Sequence, residues 1–331
     1  MPEVAVREIT FAQAVREALA EEMRRDSTVC IMGEDVAEAG TPFKVLSGLL
    51  EEFGKDRVLD TPISEAGFTG LAVGAAMTGM RPVVDIMFGD FITLTMDQMV
   101  NQAAKVHYMS GGKWTVPMVM RTTMGATRRS AAQHSQSLHA WYCHVPGLKV
   151  VLPSTPYDAK GLLKAAIRDE NPVVFFEDKM MYKLKGPVPE QDYTVALGVA
   201  DIKRVGEDIT LVATSSMVQV ALGAALMLED IGISAEVVDP RTLWPLDEKT
   251  LVESAKKTSR AIILDEGYER YGVTAELASV IASGAFYDLD APVKRMGAMH
   301  VPIPFSPPLE DATVPTEQTV FEAARAMCGR S

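Results

Sequence analysis

Val58-Leu-Asp-Thr-Pro-Ile-Ser-Glu-Ala-Gly-Phe68 is the stretch whose reading decides the fold. Val58–Asp60 reads as a short strand, and a helix of tiny residues follows within a few positions: Gly67, Gly70, Ala72, Gly74, Ala75, Ala76 and Gly79. A strand that runs straight into a helix is the repeating piece of a parallel α/β sheet. It places Glu65 at the sheet's carboxyl edge, where open sheets of this kind bind ligands. Each glycine costs a helix about 0.5–1 kcal/mol relative to alanine. Several together therefore call for close backbone approach to another helix, a ligand or a second subunit.

The same alternation continues in both directions. Strands are expected at Val29–Met32, Val83–Met87, Val116–Arg121, Lys149–Leu152 and Val173–Glu177, then at Ile209–Ala213, Ala235–Val238, Ala261–Leu264 and Val293–Met296. Most lack in/out alternation, the mark of parallel strands covered on both faces. Thr10 with Gln13 forms a capping box before an apolar face of Phe11, Val15, Ala18, Leu19 and Met23. Thr155, Pro156 and Asp158 open a second helix, and Pro172 follows its end. Gly111-Gly112 closes a helix through Met96–Ala103, and Gly232 closes one through Val218–Leu226. Lys183–Asp192, aperiodic and carrying two prolines, is the expected linker. The fold class is thus α/β, with two open parallel-sheet sandwich domains over 1–190 and 191–331.

A chain of 331 residues, 47% hydrophobic and 23% charged, can bury two cores. Its formal net charge of −12 argues against nucleic acid or an anionic membrane as primary partner and suits a basic protein partner. Cys30, Cys143 and Cys328 are few, odd in number and not spaced as metal ligands, which fits a reducing compartment. The amino terminus has no signal or transit character, and Leu71–Met80 is too short to span a bilayer. A cytoplasmic location is expected.

Several functions lose support. No Gly-x-Gly-x-x-Gly follows an expected strand, and neither a Walker loop nor a Gly-x-Ser-x-Gly elbow is present. His134, His139 and His144 are five apart, not the three or four of a helical zinc face.

Four features remain, each with two readings. Glu65 is either a ligand-binding acid or an acid favoured by the helix macrodipole; spacing alone favours the second. His134, in Ala132-Gln-His-Ser-Gln136, suits a proton donor near neutrality and equally an idle loop histidine. Phe91, in Met87-Phe-Gly-Asp-Phe91, could stack on a flat ring, though on its own a core role is favoured. Arg128-Arg129 could steer an anionic substrate or stand as a solvated pair.

Taken together, six blocks resemble one family. They are Met32-Gly-Glu-Asp35, Asp60-Thr-Pro-Ile-Ser-Glu65, Gln133-His-Ser-Gln136, Pro146-Gly-Leu-Lys-Val150, Asp158-Ala-Lys-Gly161 and Pro302-Ile-Pro-Phe-Ser-Pro307. The family is the β subunit of the thiamine-diphosphate-dependent first component of 2-oxo acid dehydrogenase complexes. Pyruvate and acetoin types are most similar, the branched-chain type a little less so.

The resemblance implies a transketolase-like pyrimidine-binding domain followed by a transketolase C-terminal domain. It implies an oxidoreductase that decarboxylates a 2-oxo acid, or cleaves acetoin, and passes the acyl group to lipoamide. Glu65 would bond the pyrimidine nitrogen of thiamine diphosphate, favouring the imino tautomer that removes the thiazolium proton. Phe91 would stack on the aminopyrimidine, Met87 would add to its pocket, and His134 would face thiazolium and substrate. Ala166, Asp169 and Asn171, with the backbone of Met118, resemble the family's structural potassium site.

The Gly-Asp-Gly signature for magnesium and diphosphate is missing; Gly33-Glu-Asp35 and Gly89-Asp-Phe91 do not complete it. That half of the cofactor, and Mg2+, would come from an α subunit, in a heterotetramer of two α and two β chains. The second domain would support dimerisation and dock the lipoyl-bearing dihydrolipoamide acyltransferase, whose basic binding domain the negative charge complements. Arg128 and Arg129 stand where many pyruvate-type members have small residues and acetoin-type members can carry an arginine, so the substrate stays open. The rivals are half of a split transketolase-like enzyme and a non-catalytic scaffold; the scaffold would require loss of Glu65, Phe91 or His134.

Overall fold

The computed structural model describes residues 6–329, arranged in two compact units. One comprises the chain up to Met124 together with Trp141–Leu197; the other comprises Gly125–Ala140 together with the chain from Gly198.

In the first unit, β1 (Val6–Thr10) leads into α1 (Phe11–Arg25), β2 (Val29–Gly33), α2 (Leu49–Phe53), β3 (Val58–Asp60) and α3 (Glu65–Met77). Then come β4 (Arg81–Ile86), a 3-10 helix (Gly89–Thr95), a π-helical stretch (Asp97–Ala103), α4 (Ala104–Met109) and β5 (Val119–Met124). After α5 (His139–Cys143), whose first two residues belong to the second unit, follow β6 (Lys149–Val151), α6 (Pro156–Arg168), β7 (Val173–Asp178), a 3-10 turn (Lys179–Lys183) and β8 (Lys185–Pro189). Six of its strands pair in parallel in the order β6-β7-β5-β4-β2-β3. The Thr10–Gln13 capping box and the Thr155 cap form as expected. The buried face of α1 (Phe11, Ala14, Val15, Ala18, Leu19) packs on α6 in the core that covers one side of this sheet.

Three local expectations are revised. The stretch expected as a linker folds as β8, antiparallel to β1, with Thr10 opposite Lys185 and Val6 opposite Pro189. A two-stranded ribbon is all edge, and edges tolerate proline. β5 begins at Val119 rather than Val116, because Pro117 lacks the amide a parallel ladder needs. The helix expected through Met96–Ala103 is π-helical there and becomes α-helical only from Ala104.

The second unit holds β9 (Asp201–Arg204), β10 (Ile209–Ala213), α7 (Met217–Glu229), β11 (Ala235–Asp239), β12 (Thr242–Trp244) and α8 (Glu248–Thr258). β13 (Ala261–Tyr268), α9 (Val273–Gly284), β14 (Lys294–Ala298), α10 (Pro307–Asp311) and α11 (Glu317–Met327) complete it. Its sheet runs β14-β13-β10-β11-β9, parallel except for β9. α7 and α11 cover one face through Val218, Ala221, Ala225, Val320 and Ala324.

Candidate functional site

In the first unit Glu65, Met87 and Phe91 follow the carboxyl ends of β3 and β4, whereas Met118, Ala166, Asp169 and Asn171 lie before the amino ends of β5 and β7. The short strand β3 ends at Asp60, and the turn through Pro62 and Ser64 places Glu65 as the first residue of α3. Glu65 is only 7% exposed. Its carboxylate has no hydrogen-bond or ion-pair partner among the described residues, and its oxygens are not among the fully buried unpartnered ones, so solvent still reaches them. Glu34, just past the end of β2, accepts from the Ser64 amide at 3.3 Å. Burial and then the nearby charge of Glu65 push the Glu34 carboxyl above its ordinary value.

α3 packs against β4 and against the 3-10 helix that carries Phe91. Phe91 is half-buried and meets Phe88 edge to face, 5.9 Å between ring centres; Phe88 meets Phe43 in the same way at 5.8 Å. Phe91 therefore belongs to an aromatic cluster beside α3, between the core and ligand-facing alternatives. Met87, also half-buried, has its carbonyl fixed by the Thr123 hydroxyl at 2.9 Å.

A buried ion network braces these strand ends, and sequence patterning had not located it. Arg121 on β5 is bidentate to Glu177 on β7, at 2.8 and 2.7 Å, and also bonds Asp85 on β4. The Tyr182 hydroxyl donates to Glu177 at 2.9 Å. Burial, then Glu177, holds the phenol far above its ordinary value, so it remains a donor. Asp85, Arg121 and Glu177 each directly follow a buried apolar run in their strand (Val83-Val84, Val119-Met120 and Val173-Val-Phe-Phe176), a clue that a charge so placed is paired.

The four residues expected at a potassium site meet around the turn between α6 and β7. The Ala166 carbonyl accepts from the Asp169 amide at 3.2 Å, and the Met118 carbonyl from the Val173 amide at 3.0 Å. The Asp169 carboxylate takes Lys149 and the amide and side chain of Asn171, which hold it below its ordinary value against the opposing effect of burial. Arg81 donates to the carbonyls of Ile167 and Asp169, both at 3.0 Å. A side-chain cation thus already braces this turn, leaving second lone pairs for any ion.

In the second unit, His134 lies half-buried in the loop 125–140. Arg129 is committed there: its Nη1 lies 2.6 Å from Glu310 Oε2 and 2.6 Å from Asp311 Oδ1. Steering substrate with this guanidinium would mean giving up both pairs, so the solvated-pair and substrate readings both yield to a structural one for Arg129. Arg128 is exposed.

Comparison with known proteins sets these residues in a family. Residues 7–185 match the model of the transketolase pyrimidine-binding domain, and residues 198–320 that of the transketolase C-terminal domain. The chain is 51% identical to the beta subunit of acetoin:2,6-dichlorophenolindophenol oxidoreductase of Bacillus subtilis, covering 98% of each. It is 48% identical to the pyruvate dehydrogenase E1 component subunit beta of Rickettsia felis, over 97% of this chain and 98% of that one. The chain belongs to this family of dehydrogenase beta subunits. A third member of the family, the 2-oxoisovalerate dehydrogenase subunit beta of Bacillus subtilis, is 44% identical over 96% of this chain and 98% of its own. Among solved structures, one described as a split gene transketolase, inactive beta4 tetramer, superposes with a TM-score of 0.79 at 23% identity, covering 97% of this chain and 98% of its own. That likeness speaks for the fold of the beta subunit alone. Both α/β domains expected from the sequence are those of the family, and no helix among the described residues is long and apolar enough to cross a membrane.

Proposed function

We propose that this beta subunit completes, with an alpha subunit, a thiamine-diphosphate enzyme that acts on pyruvate or acetoin and passes the acyl group to lipoamide. The observation that supports the reading is Glu65, a largely buried residue whose carboxylate keeps contact with solvent and has no internal partner, at the carboxyl edge of the sheet in the stretch matched to the pyrimidine-binding domain. A group so placed fits a ligand that brings its own hydrogen-bond partner, as a weakly basic ring nitrogen does.

When bound, thiamine diphosphate would supply an electron sink for cleaving the bond beside a carbonyl. Glu65 would hold a proton at the pyrimidine nitrogen. Phe91 and Met87 would form the ring's pocket, with Met87 held by Thr123. His134 would hold a proton at the substrate oxygen or assist acyl transfer. Mg2+ and the diphosphate fall to the alpha subunit, because no Gly-Asp-Gly is present. Potassium at Met118, Ala166, Asp169 and Asn171 would act structurally. The assembly would be two alpha and two beta chains, and the chain's formal net charge of −12 supports docking of the acyltransferase through a basic domain. The low, odd cysteine number supports a reducing, cytoplasmic setting.

A branched-chain substrate is the second reading, favoured by the 44% identity to the 2-oxoisovalerate relative. The test is co-expression with the alpha subunit, loading with thiamine diphosphate and Mg2+, and measurement of lipoyl-domain acylation from pyruvate, acetoin and 2-oxoisovalerate. Ketol transfer between sugar phosphates is assayed beside it. Acylation from pyruvate or acetoin is expected; ketol transfer without acylation would overturn the reading in favour of a split transketolase.

A further inference from the structure

Loop 125–140 carries an unusual amount of strain. Thr127, Arg129 and Ala131 all have positive φ (67°, 60° and 60°), as does Gly125 at 102°. Left-handed backbone costs a residue with a side chain roughly 1–2 kcal/mol. Three in five residues persist only where surrounding groups over-determine them, and such strain gathers at functional sites.

Three carboxylates of the same unit receive this loop. Glu266 accepts from the Ala126 amide at 2.7 Å. Glu310, whose side chain is fully buried, accepts from the Arg129 amide at 3.1 Å and from its guanidinium at 2.6 Å. Asp265 lies 3.0 Å from Nε2 of His139, which is wholly buried, and accepts from the Thr214 hydroxyl and the Gly267 amide. The loop's two feet therefore rest on consecutive residues of β13. Position 267 must be glycine for this: a Cβ there would lie 2.6 Å from the Asp265 carboxylate and 3.2 Å from the His139 ring. His134 sits between the Arg129 and His139 supports.

We propose that Asp265, Glu266 and Glu310 are positioning residues that hold the strained loop in one conformation and thereby fix His134. The proposal rests on the reading that His134 acts at the reacting centre. Carboxylates that touch neither substrate nor cofactor would then control catalysis through the loop backbone.

The experiment uses the complex with the alpha subunit, loaded with thiamine diphosphate and Mg2+. Hydrogen–deuterium exchange is followed for the amides of 126–138 and of β10, together with kcat and KM for the preferred substrate. Glu310→Gln presents a donor to donors, and Asp265→Ala removes the His139 support. Both are expected to speed loop exchange roughly tenfold to a hundredfold, the effect of losing a charged hydrogen bond, while β10 is unchanged. kcat should fall by a similar factor, and KM should move by less than about threefold. Asp265→Asn, which retains an oxygen for His139 and Gly267, should restore most of both; Glu266→Gln serves if Asp265→Ala does not fold.

Unchanged loop exchange in the variants, or a rise shared equally by β10, overturns the proposal. So does faster loop exchange with unaltered kcat while His134→Ala is inactive. A fully active His134→Ala enzyme sinks instead the underlying role of His134, and the exchange data alone show whether the supports exist.

Discussion

Replacing Arg121 by leucine would strip the cation from between Asp85 and Glu177 and leave two carboxylates buried side by side. Arg121 is 3% exposed, Asp85 5% and Glu177 0%, so water cannot take its place. Removing one member of such a buried set costs about 3–5 kcal/mol, because the remaining charge is left uncompensated. For a unit of this size each kcal/mol lowers Tm by roughly 2–4 °C, so a fall of roughly 6–20 °C is expected at neutral pH. The orphaned carboxylates would relieve themselves by taking up protons, raising their pKa in the folded state. A raised folded pKa gives stability that is present below the unfolded value, about 4, and is lost as pH rises through the folded value. The deficit of the variant should thus be small near pH 4 and grow toward neutrality. Thermal melts of wild type and variant across pH 4–8, each in complex with the alpha subunit, measure both effects. A loss below about 1 kcal/mol at pH 7, or a deficit independent of pH, would refute the reasoning. Replacing all three residues by apolar ones of similar volume should recover most of the loss, since the desolvation of the charges disappears with them.

Three further outcomes follow from the geometry. Gly147→Ala should cost about 2–5 kcal/mol, because φ there is +104° and a Cβ would lie 2.1 Å from the Ala104 carbonyl, backbone that cannot retreat; urea unfolding measures it. Asp265 is held below its ordinary value of 3.8 by His139, Thr214 and the Gly267 amide, against the opposing effect of burial. Its contribution is therefore present above that value and lost as pH falls through the lower folded value, so Asp265→Asn should flatten the acid limb of the stability curve below about pH 4. If the α6–β7 turn takes potassium, KCl should raise Tm over NaCl of equal ionic strength, by roughly 5–10 °C at a hundredfold excess over Kd; equal melting in the two salts would remove that site.

The parallel core was legible because its strands are short continuous apolar runs and its helices carry side-chain caps. Thr10, Gln13 and Thr155 do in the structure what their spacing suggests. Glu65 was placed at the start of α3 from the turn before it, but its lack of an internal partner is a property of packing and leaves no trace in the sequence. The β1–β8 ribbon was missed because Pro187 and Pro189 read as breakers, whereas an edge strand accepts them. Arg129 looked free to meet substrate because Glu310 and Asp311, which hold it, lie about 180 positions further along the chain. For the same reason the supports of loop 125–140 at Asp265, Glu266 and Glu310 leave no trace in the spacing of the loop itself. Arg121 sat inside an expected strand, where only the register of β4, β5 and β7 reveals its partners.

The central claim is that Glu65 is left without an internal partner because a cofactor supplies one. Glu65→Gln in the complex with the alpha subunit tests it, read as thiamine-dependent turnover with an artificial electron acceptor and as Tm without cofactor. Since the carboxylate gives up no internal hydrogen bond, the account predicts a Tm within a few degrees of wild type and a kcat lower by roughly 10²–10⁴-fold, the usual worth of a positioned proton-transfer group. Turnover within about threefold of wild type, or a complex that fails to fold, would contradict it.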